Sequence, residues 1–112
     1  MDFTIIKHAV EVDHGVKRFS MRFVKRYAAP ERARLSAELC AEISANLKSL
    51  GLITVPMTLP TSENAHVWVI EKDSALGHVT AVASALAQLD QAGVSPLPQV
   101  FDNYPLAKAN LS

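Results

Sequence analysis

The chain is short of the residues that usually announce chemistry or covalent restraint. It holds a single cysteine, Cys40, so an internal disulfide and every zinc pattern built on several cysteines are excluded. A reducing compartment suits that count. Glycine occurs four times and forms neither a phosphate-binding loop nor the turn of a nucleophile elbow. No stretch approaches the roughly eighteen apolar residues that a membrane-spanning helix needs. The opening "MDFTIIKHAVEV" has no basic region leading into an uninterrupted apolar core, and so does not read as a signal peptide. The expectation is a cytoplasmic protein without a membrane partner.

Excess charge is missing as well. Eleven basic and eleven acidic residues cancel, which removes the global field that drives strongly basic proteins onto nucleic acid. The cancellation conceals a polarity. Residues 1–50 carry nine Lys/Arg against six Asp/Glu, and residues 51–112 carry two against five, so the halves stand at +3 and −3.

What is present is apolar periodicity. With 112 residues, 49% of them hydrophobic, the chain can enclose a core without disulfides. The expectation is one α+β domain over residues 1–102, with a C-terminal tail over 103–112. From Pro30 to Leu50, the residues Leu35, Leu39, Ile43, Leu47 and Leu50 recur at intervals of four and three and predict a helix closed by Gly51. A second helix is predicted from about Ser74 to Ala92, with Asp73 or Ser74 as its cap and Gly93 as its stop. Val79, Val82, Leu86 and Leu89 define its expected buried side, and its many alanines would allow close approach to a sheet. Between the helices, alternation predicts strands over 52–59 and 66–72, with Ile53, Val55 and Met57 facing the helices and Thr54 and Thr58 facing away. Pro56 argues for an edge or a bulge. A further edge strand is expected over 94–102.

Residues 3–28 admit two readings. As a hairpin, "FTIIKHAVEV" pairs with "VKRFSMRFVKRY" across "DHG", setting Glu11 opposite Lys17, Ala9 opposite Phe19 and Ile5 opposite Phe23. As a helix from Asp13, the same segment gathers Val16, Phe19, Phe23, Val24 and Tyr27 in one arc with the cations opposite. Arg18, Arg22 and Arg26 share a face under either reading, because an interval of four returns to the same side at both periods. Their spacing would be about 13 Å on a strand and about 6 Å on a helix.

The strand reading gives an antiparallel sheet of four to five strands with two helices on one face, in ferredoxin-like or ββαββα order. The uncovered face of such a sandwich is where binding is expected. Arg18, Arg22, Arg26, His66 and Trp68 are the candidate binding residues: guanidinium forks match phosphate oxygens, and an indole offers a stacking surface. The same charges are also what a solvated surface consists of. His66 and Trp68, two apart on a strand, could instead line a small-molecule pocket. The histidines His8, His14, His66 and His78 have no metal-ligand spacing, Cys40 packs as an apolar residue, and no catalytic set, metal or cofactor is expected. The leading expectation is therefore a binding module that works through its open sheet face, as a homo-oligomer or with an anionic ligand or nucleic acid as partner. The alternative is a small-molecule-binding protein or small enzyme with a pocket between sheet and helices.

Overall fold

The computed structural model describes residues 1–94, 102 and 104–112. The elements are α1 (Thr4–Val12), β1 (Val16–Ser20), α2 (Met21–Ala28), α3 (Ala37–Ser49), β2 (Leu52–Val55), β3 (His66–Glu71), α4 (Ala75–Gln91) and α5 (Pro105–Leu111). The three strands form one antiparallel sheet in the order β1-β3-β2. The mixed α+β composition agrees with the sequence. The four-to-five-stranded ferredoxin-like sandwich does not: among the described residues there are five helices and three strands. The expected strand over 94–102 falls largely outside the described residues.

Two local substitutions account for the difference. Residues 4–12 are helical, since Phe3, Ile6 and Val10, at spacings of three and four, all bury into the core. That helix ends in a Schellman turn, in which Gly15 N–H donates to the Val10 carbonyl and His14 N–H to that of Glu11. His14 and Gly15 take φ of 62° and 94° there, so "DHG" stops a helix and does not turn a hairpin. The expected Glu11–Lys17 pairing is replaced by an ion pair between Lys17 and Asp13.

The second substitution lies at Ser20, where the chain passes from strand to helix with no intervening loop. Ser20 keeps extended backbone (φ −75°, ψ 150°), and its hydroxyl accepts from Phe23 N–H as the N-cap of α2. Each reading of residues 13–28 thus holds for part of the segment. Met21, Val24 and Ala28 bury on the inner side of α2, while Phe19, Phe23 and Tyr27 form a ladder of rings with centroids 5.3 and 4.6 Å apart.

Helix α3 starts at a Ser36 cap, later than Pro30, because the Ser36 hydroxyl accepts from Leu39 N–H and fixes the first turn. Leu35, Leu39, Ile43 and Leu47 are buried as expected, whereas Leu50, the last residue of the expected stripe, is exposed at the helix end. Gly51 and Gly93 both adopt φ of +77°, as their positions past helix ends require. Strand β2 stops at Val55, since Pro56 lacks a ladder donor.

The sheet has helices on both faces. Phe19, Val67, Val69 and Leu52 join Phe3, Ile6, Val10, Met21, Leu39, Ile43 and Leu47 in the main core, beneath α1, α2 and α3. Thr54, expected to face away from the helices, is buried on this side, and Ile53 and Val55 lie on the other, where Ile53 meets α4. Helix α4 covers only the part of the second face that carries Ile53 and Ile70. It turns Gly77, Thr80, Ser84 and Ala87 inward and Val79 and Val82 outward, the latter at 65% and 62% exposure. Of the side expected to be buried, Val79, Val82 and Leu89 are exposed and Leu86 is partly buried. A Cβ on Gly77 would strike the backbone carbonyls of Glu71 and Lys72, so only a slim helix face can approach the sheet this closely.

Candidate functional site: the open sheet face

Strand register assembles the uncovered part of the second face. Arg18 on β1 lies directly opposite Trp68 on β3, which lies opposite Val55 on β2. Ser20 and His66 form the next row. Trp68 stands on the central strand at 47% exposure, and Arg18 and His66 are exposed beside it. A half-exposed indole between a guanidinium and an aliphatic side chain offers a flat apolar platform with charge at its rim.

Of the five predicted residues, the structure brings Arg18, His66 and Trp68 together. Arg22 and Arg26 stand apart on α2, because Ser20 ends the strand before the interval of four can carry the alignment across. Arg22 reaches back toward the loop ahead of β3: its guanidinium donates to Asn64 Oδ1 at 3.2 Å and lies 3.9 Å from a Glu63 carboxylate oxygen. Lys25 approaches the same carboxylate at 3.7 Å. Arg26 lies 6.0 Å from the Tyr27 ring centroid. Arg18 has no ion pair among the described residues, and it is the guanidinium of the three that faces solvent beside an aromatic ring on the sheet.

Strand β1 is also a sheet edge. Glu71 N–H donates to Gly15 O and Met21 N–H donates to Ala65 O, so the odd-numbered residues of β1 pair with β3. Val16, Arg18 and Ser20 consequently turn their peptide groups outward. A cleft of about 480 Å³ runs along this edge, lined by Ala9, Lys17, Arg18, Phe23 and His66 among others. Trp68 does not line it, so His66 and Trp68 share a face without sharing this cleft.

The remaining reactive side chains are placed for packing. Cys40 is buried, its thiol donates to Pro60 O at 3.4 Å, and burial pushes its pKa above the usual thiol range. No group of three or more His, Cys, Asp or Glu that could hold a metal ion occurs among the described residues. No helix among them is long and apolar enough to cross a membrane. No protein-family model matches the chain, and no curated protein or solved structure matches it.

Proposed function

We propose that the protein is a binding module that receives an anionic partner on its open sheet face, with Trp68 as the stacking platform and Arg18 as the charged contact. The observation that carries this reading is the juxtaposition of a half-exposed indole on the central strand with an exposed guanidinium directly across from it that has no ion pair among the described residues. A partner with a planar ring next to a negative group suits both, and Ser20 and His66 add hydrogen-bonding capacity in the adjoining row. The +3 charge of residues 1–50 would favour approach of such a partner from the β1 side.

The chain has one tryptophan, so selectively excited tryptophan emission reports this face alone. Titration with a thymidine oligonucleotide should quench that emission, with an affinity that falls as salt rises. Arg18→Glu should weaken binding roughly ten-fold or more, in line with loss of a charged hydrogen bond and gain of a like-charge contact. Absence of quenching in the parent protein, or quenching unchanged in Arg18→Glu, would remove the anionic reading.

A second reading, self-association, is favoured by a separate observation. The outward face of α4 carries Leu76, Val79, Val82 and Leu89, all exposed, and the helix has no Asp, Glu, Lys or Arg before Asp90. An uncharged apolar face gives no basis for selecting a charged partner. Two copies laid antiparallel would match it without opposing like charges. The two readings are compatible, since pairing through α4 leaves Trp68 uncovered.

A further inference from the structure

Along one flank of α4, where it meets the sheet and the end of α3, runs an open cleft of about 230 Å³, lined by Lys48, Ile53, Met57, Lys72, Ala81, Ser84, Ala85 and Gln88. Three features set it apart from a packing gap. The Ser84 hydroxyl is buried and has no hydrogen-bond partner among the described residues, in a residue that is 6% exposed. One turn earlier Thr80 meets the same constraint by donating to the Leu76 carbonyl at 2.8 Å, so the helix itself offers a way out that Ser84 does not use. A buried hydroxyl without a partner has given up the hydrogen bonds it made in water, which makes it a group awaiting a partner.

The second feature is charge. Lys48, in the last turn of α3, and Lys72, just past β3, both line the cleft, and neither has an ion pair among the described residues. The third is the wall between these polar groups, which consists of Ile53, Met57, Ala81 and Ala85 and is apolar throughout. The volume falls below the range of about 300–1,000 Å³ typical of sites for drug-sized ligands, so the occupant is small.

We infer that this cleft binds a small aliphatic carboxylate bearing a second polar group on its chain. The carboxylate lies between the Lys48 and Lys72 ammonium groups, which act as point charges at the rim. The aliphatic chain lies against Ile53, Met57, Ala81 and Ala85. The second polar group, an oxo or hydroxyl oxygen, accepts the hydrogen bond that Ser84 has to give, with Gln88 as a further donor or acceptor. The site is separate from the Trp68 face and uses residues from α3, β2 and α4 that the open face does not.

The test titrates hexanoate, 5-oxohexanoate, 6-hydroxyhexanoate and neutral hexan-1-ol into the 15N-labelled full chain and follows amide shifts of residues 81–88. At least one of the two functionalised acids should bind about ten-fold tighter than hexan-1-ol, and a Lys48→Met/Lys72→Met double variant should abolish that difference. Ser84→Ala, which removes an unmatched hydroxyl and so keeps the fold, should erase a roughly three-fold preference for the functionalised acid over hexanoate while retaining hexanoate binding. The inference is overturned if no probe shifts these amides, if the double variant binds the acids as well as the parent does, or if Ser84→Ala keeps the preference.

Discussion

At the scale of single residues, the molecule separates groups that are reactive in principle from groups that are accessible. Cys40 illustrates the first kind. Its thiol sits among Leu39 and Ile43 with a carbonyl oxygen as its polar contact, and burial favours the neutral form. The folded-state pKa is raised, so above the ordinary thiol range near pH 8.5 the unfolded chain releases a proton that the folded chain keeps. Stability from this group is complete below that range and declines as pH rises through it. Chemical denaturation from pH 7 to pH 10 should show a loss attributable to Cys40, and Cys40→Ala should flatten that part of the profile. A profile unchanged by the substitution would mean that the thiol ionises freely in the folded state. Trp68 and Arg18 are the opposite kind, an indole that is costly to leave in water and a guanidinium beside it, both accessible. Their pairing was half legible in the sequence: both residues stood out by type, but register across β1 and β3 was needed to place one opposite the other.

At the scale of elements, the sequence was most informative where periodicity and punctuation agreed and least where two periodicities overlapped. Helices α3 and α4 follow from their apolar spacing and flanking glycines. Helix α1 was obscured because "FTIIKHAVEV" alternates well enough to imitate a strand, although Phe3, Ile6 and Val10 already carried the helical interval. The segment from Val16 to Ala28 resisted any single assignment because it is two elements joined at a cap, and only tertiary pairing with β3 reveals the joint. Helix α4 shows why size is a poor guide to orientation: contact with the ends of β3 selected glycine and small side chains for the interior and sent the valines outward. Gly77→Ala tests that account directly. The new methyl group meets backbone that cannot move aside, so the substitution should cost about 1–3 kcal/mol in urea unfolding despite the better helix propensity of alanine. A neutral or stabilising result would mean that α4 is not held against β3 as described.

At the scale of the whole molecule, the apolar surface is distributed unevenly: a main core enclosed by α1, α2 and α3, and a second layer whose larger side chains face solvent. A helix of 17 residues is about 25 Å long, so pairing through α4 alone would bury a modest interface and give a concentration-dependent dimer. Light scattering should show association that increases with protein concentration, and Val82→Glu should return the chain to monomer with little change in stability, because Val82 is already exposed. A parent protein that stays monomeric at high concentration would exclude the second copy as the cover of this face.

The main core includes no side chain from α4; that helix presents Gly77, Thr80, Ser84 and Ala87 to the sheet and carries α5 alongside it, with Asp90 paired to Lys108. The globule is thus built in two tiers, one sealed and one fastened to it by slender contacts. A guest lodged at the seam would act as a clasp between them, and its arrival would be felt first as a tightening of the outer tier.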